Sequence, residues 1–160
     1  SLVELESYFD VQIITQNVDD LHERAGSTKV LHLHGELKKA RSTVDDNLIY
    51  DLQHWELKKG DLCEKGSQLR PHIVWFGEAV PHFEKAIQIV SQADFLIVVG
   101  TSLSVYPAAA IMNYAPMHAS RYYIDPQAEN QAHQKNLIII AKKAGEGLPL
   151  IVEQLKRDSV

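Results

Sequence analysis

Asp94-Phe95-Leu96-Ile97-Val98-Val99-Gly100-Thr101-Ser102 is the stretch that decides how this chain folds. Phe95 to Val99 is an unbroken apolar run of strand length, and it stops at a glycine followed by two hydroxyl side chains. A strand without polar alternation is buried on both faces, which is the habit of parallel sheets covered by helices. Upstream, the spacing predicts a helix over residues 81–93, with Phe83, Ala86, Ile87 and Val90 on one face. Downstream, Pro107 fits the first turn of a helix running to about Tyr114. Residues 121–124 and 137–140 read as two further strands. The last helix carries Leu148, Ile151, Val152 and Leu155 on one face, with Pro149 in its first turn. Toward the N-terminus, residues 11–14, 30–34 and 72–76 read as strands. Apolar strands separated by helices predict a doubly wound, Rossmann-like α/β fold, in which ligands sit outside the carboxyl ends of the strands.

Residues 38–69 interrupt this pattern. They are polar and charged, with Leu48, Tyr50, Leu52, Trp55 and Leu57 scattered among them. The division that follows is a first part of the core over 1–37, a small inserted module over 38–69 and a second part of the core over 70–160. At 160 residues, 45% of them hydrophobic, the chain can fill one core. A net charge of −5 and the lack of a basic block argue against nucleic acid as a partner. No apolar run reaches transmembrane length and no signal peptide opens the chain, so a cytoplasmic protein without a membrane partner is expected. One cysteine, Cys63, excludes an internal disulfide. The chain starts without a methionine, inside a helical pattern of Leu2, Leu5 and Phe9, and so reads as a fragment of a longer protein.

Four stretches fall where strands end and should converge on one edge of the sheet. They are Thr15-Gln16-Asn17-Val18-Asp19-Asp20-Leu21-His22, His32-Leu33-His34-Gly35, Trp75-Phe76-Gly77-Glu78 and Gly100-Thr101-Ser102-Leu103-Ser104. In a strand His32 and His34 share a face. His34 stands before a glycine that lets the chain turn, where an imidazole can serve as an acid–base group or simply as a polar strand end. Gln16, Asn17 and Asp19 suit the amides and hydroxyls of a nucleoside, and equally suit a turn, with Asp20 capping a short helix that contains residues 21–24. The turn at Gly100, Thr101 and Ser102 can accept ribose or phosphate oxygens, although no full glycine-rich fingerprint is present.

Taken together and in order, these stretches resemble the sirtuin family, the third in the longer form Arg70-Pro71-His72-Ile73-Val74-Trp75-Phe76-Gly77-Glu78. Asp19-Asp20-Leu21-His22 and His34-Gly35-Glu36-Leu37 look most like the bacterial class III branch. The resemblance implies an NAD-dependent protein-lysine deacylase, of the deacetylase and desuccinylase class. In that chemistry the acyl oxygen attacks the ribose carbon bearing nicotinamide, a histidine base activates a ribose hydroxyl, and the acyl group ends on ADP-ribose. By motif, His34 matches the catalytic base. Gln16, Asn17, Asp19, Gly100, Thr101 and Ser102 match cofactor-binding positions. Asp125 stands where the family usually has an asparagine near the adenosine ribose. Val74, Phe76, Gly77 and Glu78 match one wall of a groove that pairs an acyl-lysine peptide as an added strand, and Val105 the other wall.

Three departures qualify the expectation. Sirtuins commonly hold a structural zinc with four cysteines in the inserted module, and here only Cys63 is available, with Lys65 about where the last cysteine would stand. No zinc is therefore expected, and Tyr50, Leu52, Trp55 and Leu57 are expected to hold the module as an apolar cluster. The family's glycine-rich nucleotide loop and flexible cofactor loop lie upstream of these motifs and have no match here. The sheet would then lack its first strand, NAD would bind poorly, and an unpaired edge would invite dimerisation. Two other readings stand beside this one: a non-catalytic module binding acyl-lysine peptide or ADP-ribose, and a metal-dependent hydrolase using His22, His32 and His34.

Overall fold

The computed structural model describes residues 1–101, 108–128 and 136–159. Ser102, Leu103, Ser104, Val105 and Pro107 lie outside the described residues. In chain order the elements are α1 (Leu2–Leu5), β1 (Ile13–Thr15), α2 (Leu21–Arg24), β2 (Val30–His32), β3 (Gly35–Ser42), β4 (Ile49–Asp51), β5 (Leu69–Ile73), α3 (Phe83–Val90), β6 (Phe95–Val99), a 3₁₀ helix (Ala108–Tyr114), β7 (Ser120–Ile124), β8 (Leu137–Ile140) and α4 (Ala144–Asp158).

The core strands are parallel, as the apolar runs require. β1 pairs with β2, placing Thr15 opposite His32. β6 pairs with β7 and β7 with β8, placing Val99 beside Ile124 and Ile124 beside Ile140. Helices cover both faces. On one, Ala86 and Val90 of α3 meet Leu31, Leu33, Ile111 and Ala115, with Ile14 and Leu96 packed against them. On the other, Ile151, Val152 and Leu155 of α4 meet Tyr122, Ile124 and Leu5. Tyr122, Tyr123 and Ile124 are buried in succession, the mark of a strand covered on both sides. Each large apolar side chain buried there contributes on the order of 1.5–3 kcal/mol.

Several boundaries differ from the pattern-based expectation. β6 is not deeply buried, and Phe95 is 42% exposed, because among the described residues the strand pairs only with β7. β2 ends at His32 because the chain turns through Leu33 and His34 into Gly35, whose φ is 83°. The strand expected at 72–76 lies earlier, and it pairs antiparallel with β3 rather than joining the parallel core. Pro71, which has no N–H to give, sits where the β3–β5 register jumps between Glu36 and Ala40, a bulge that absorbs the missing donor. Pro149 falls inside α4, past its first turn, since the helix already begins at Ala144.

β4, β3 and β5 form an antiparallel sheet in that order. The apolar cluster expected there does not form: Trp55 is 89% exposed. The sheet is instead filled by Ala40, Ser42 and Cys63, all buried, and tied by polar groups. Gln68 Nε2 donates to the carbonyls of Lys58, Asp61 and Leu69, while its Oε1 accepts from the Gly60 amide. A glutamine with this many backbone partners organises a loop that has too little apolar area to organise itself. No helix among the described residues is long and apolar enough to cross a membrane.

Candidate active site

The loop leaving β1 is shaped by its own polar side chains. Thr15 Oγ1 accepts from the Asn17 amide at 3.1 Å, and Asp19 Oδ1 accepts from the Leu21 amide at 3.1 Å. Asp20 occupies the N-cap position of α2 but makes no capping bond; its carboxylate pairs with Lys38, and Asp19 supplies the bond to the helix start.

Two histidines read this loop from the end of β2. His32 Nδ1 lies 3.0 Å from the Asn17 carbonyl, and His34 Nδ1 lies 3.1 Å from the Gln16 carbonyl. A carbonyl only accepts, so each Nδ1 carries a proton. For His34 this leaves Nε2 as the lone-pair nitrogen, with no hydrogen bond to any other described residue. That is the tautomer a general base needs, and it is set by a backbone atom rather than by a carboxylate. His32 differs. Its Nε2 lies 2.8 Å from Glu23 Oε1, so both ring nitrogens face acceptors, an arrangement that favours the protonated ring. Burial pulls its pKa down, but the bonds to Glu23 and Asn17 outweigh burial and leave it above the ordinary histidine value. With both nitrogens engaged, His32 has no lone pair for a metal, and no cluster of metal-binding side chains occurs among the described residues.

The other stretches connect to the same point. The Val74 amide donates to the His34 carbonyl at 2.9 Å. A Cβ on Gly35 would lie 2.0 Å from the His72 carbonyl oxygen, so only glycine lets β3 and β5 approach here. Gln16 Nε2 reaches Thr101 Oγ1 at 3.5 Å, and the Tyr123 hydroxyl donates to the Thr101 carbonyl at 2.8 Å. Gly100 has φ 62°, and a Cβ there would meet nothing within 4 Å, which leaves open space at the carboxyl end of β6. Asp125 follows β7 on the same edge, and its Oδ1 accepts from the Gln127 amide at 2.8 Å. Gln16, Asn17, His34, Val74, Gly100 and Thr101 are thus gathered, with Asp125 one strand further along. Phe76 is fully exposed and Trp75 is 55% exposed, on a turn closed by the Glu78 amide donating to the Trp75 carbonyl at 3.0 Å. Ser102 and Val105 lie outside the described residues.

Two groups of residues were not anticipated from sequence. Glu23 follows Asp20 by one helical turn, which is the only cue that it faces back toward β2. Arg41 and Arg70 converge on Glu78, and no local pattern announces that.

These residues do not fit a tetrahedral zinc. The Cys63 thiol is bonded to Ser42, which holds its pKa below the ordinary thiol value against the opposing effect of burial. Lys65 pairs with Asp45 at 2.6 Å. The groups gathered around His34 do fit a nucleotide at its ribose and nicotinamide end, where amides, a carboxylate and an open glycine turn meet an imidazole.

A family model described as the Sir2 family matches residues 2–107. The chain is 52% identical over 157 residues to the NAD-dependent protein deacylase of Helicobacter pylori, covering 97% of this chain and 67% of that protein. It is 48% identical over 161 residues to the protein of the same name from Bacteroides thetaiotaomicron, covering 98% and 67%. Among solved structures it resembles a Sir2 homologue–NAD complex, with a TM-score of 0.83 at 36% identity, covering 99% of this chain and 63% of that one. It also resembles a Sir2–p53 peptide–NAD⁺ complex, with a TM-score of 0.75 at 30% identity, covering 98% and 68%. The chain therefore spans about two thirds of the length of the relatives it matches. With a family model aligned over residues 2–107 and a relative 52% identical along nearly its whole length, the chain belongs to the Sir2 family, the sirtuins.

Proposed function

We propose that this protein is an NAD-dependent protein-lysine deacylase in which His34 is the general base. The observation that carries the reading is the hydrogen bond from His34 Nδ1 to the Gln16 carbonyl at 3.1 Å, which leaves Nε2 free to take a proton. NAD, when bound, supplies the ribose whose carbon receives the acyl oxygen as nicotinamide leaves. Gln16, Asn17, Asp19, Gly100 and Thr101, with Ser102, hold its ribose and nicotinamide side, and Asp125 accepts from the adenosine ribose. His34 takes the proton of a ribose hydroxyl so that this oxygen can attack the acyl carbon. Val74, Phe76, Gly77 and Glu78, together with Val105, form the groove for the extended acyl-lysine peptide.

The experiment is turnover of NAD with acetyl-lysine and succinyl-lysine peptides by the protein at its full native length, read as O-acyl-ADP-ribose by mass spectrometry. His34→Ala is expected to lose about 10²-fold or more of deacylation while binding peptide as before. Undiminished deacylation in His34→Ala removes the base assignment, and peptide or ADP-ribose binding without turnover in the parent protein makes it a binding module. The same reading includes a cytoplasmic location, supported by a single unpaired and buried cysteine and checked by cell fractionation. It includes dimerisation through an exposed sheet edge, which sedimentation equilibrium tests.

A further inference from the structure

Trp75-Phe76-Gly77 places two aromatic rings in solvent on a turn with a glycine at φ 90°, an arrangement with few apolar contacts of its own to fix it. One carboxylate does the fixing. Glu78 Oε1 accepts from Arg70 Nη1 at 2.6 Å, and its Oε2 accepts from Arg70 Nη2, Arg41 Nη2 and the Trp75 amide at 3.1, 3.1 and 3.0 Å. Arg70 Nη2 also donates to the Ile73 carbonyl at 3.2 Å. The guanidinium fork of Arg70 therefore grips both carboxylate oxygens, a geometry lysine cannot reproduce. Arg41 reaches this point from the C-terminal end of β3 and is only 8% exposed, so the module's sheet contributes directly. The turn is closed from both sides by the same residue: the Glu78 carboxylate holds the Trp75 N–H, and the Glu78 amide holds the Trp75 carbonyl.

We propose that Glu78, clamped by Arg70 and Arg41, is a positioning residue that presets the Trp75–Gly77 turn for the acyl-lysine peptide, so that the antiparallel module shapes the peptide groove. This rests on the reading of that turn as a groove wall. The clamp touches neither His34 Nε2 nor the cofactor positions, so its loss acts on peptide affinity. A merely structural role would lower thermal stability and leave the Michaelis constants alone.

This chain has two tryptophans, so Trp55→Phe, which removes the exposed ring in the module, leaves Trp75 as its one tryptophan, read by excitation selective for tryptophan over tyrosine. In that background Glu78→Gln is expected to raise acrylamide quenching of Trp75 and to raise KM for an acetyl-lysine peptide about tenfold. KM for NAD is expected to stay where it was. Arg70→Lys keeps the charge and loses the fork; it should show the same split at smaller amplitude, and it serves if Glu78→Gln does not fold. Unchanged quenching and unchanged peptide KM in the folded variants overturn the clamp, even where they melt earlier. Failure of the parent to bind any acyl-lysine peptide overturns the groove reading instead, and the quenching comparison then decides whether Glu78 fixes the turn.

Discussion

Replacing Gly35 by alanine tests whether the close approach of β3 and β5 holds the candidate base in place. Gly35 has φ 83°, and an added Cβ would lie 2.0 Å from the His72 oxygen and 2.9 Å from the His72 carbonyl carbon. The left-handed conformation costs alanine about 1–2 kcal/mol. The clash cannot be relieved by a side-chain rotation, because the obstructing atoms are backbone inside a ladder that pairs Gly35 with Ile73 and Glu36 with His72. Moving that ladder resembles overpacking a core, at about 1–3 kcal/mol. The loss is then roughly 2–5 kcal/mol, a large part of the ~5–15 kcal/mol by which a domain is stable. In urea the midpoint should fall by about 1–2.5 M for a slope near 2 kcal/mol/M. Gly66→Ala is the control. Gly66 has φ 72° with nothing within 4 Å of a Cβ, so it bears the conformational cost alone. Equal midpoints for the two variants would refute the steric argument and with it the claim that glycine is required beside His34.

His32 gives a pH dependence whose sign follows from its partners. Its folded pKa lies above the ordinary 6.5 and that of Glu23 lies below the ordinary 4.5, so the pair's stabilisation is complete between those values. It is lost as pH rises through the folded pKa of His32, so the gap in Tm between the parent and His32→Asn should be widest near pH 6 and narrow toward pH 9; a constant gap across that range counts against the charged pair. Because Cys63 bonds Ser42 and Lys65 pairs with Asp45, a chelator is expected to leave Tm unchanged and metal analysis to find well under one zinc per chain. A drop in Tm on chelation would show that the module needs a metal after all.

The parallel core was legible because its signal is local. Phe95–Val99, Tyr122 to Ile124 and Leu137–Ile140 announce themselves by apolar runs, and the helix faces by their spacing. His34 stands out as a candidate for another reason: a histidine before glycine just beyond a strand is conspicuous in one dimension. The module was read less well. Trp55 looks like core by type and is exposed, because the sheet around it is held by Gln68 and by buried small residues, and hydrogen-bond geometry leaves no periodic trace. The strand at Leu69–Ile73 was displaced for a similar reason, since its partner is the bulged β3 and its register is set by Pro71. The Arg41–Glu78–Arg70 grouping brings Arg41 to a carboxylate 37 positions away through charged hydrogen bonds, and the stretch that contains Arg70 and Glu78 gives no sign of that third member.

The contact between the first and last helices has a consequence for the order of folding. Lys156 Nζ reaches Glu4 Oε1 at 2.5 Å across 152 positions, and Leu5 is buried with Ile151 and Leu155. Closing a loop of that length costs on the order of 4 kcal/mol of chain entropy before any packing repays it. The cluster around α3 needs only residues 14 to 119, so it can assemble while the chain is still emerging from the ribosome. The cluster around α4 joins Leu5 to Ile151 and Leu155 and so cannot close until α4 is made. Tyr122 and Ile124 therefore lack their α4 cover until that helix has been synthesised, which makes this cluster the more non-local of the two.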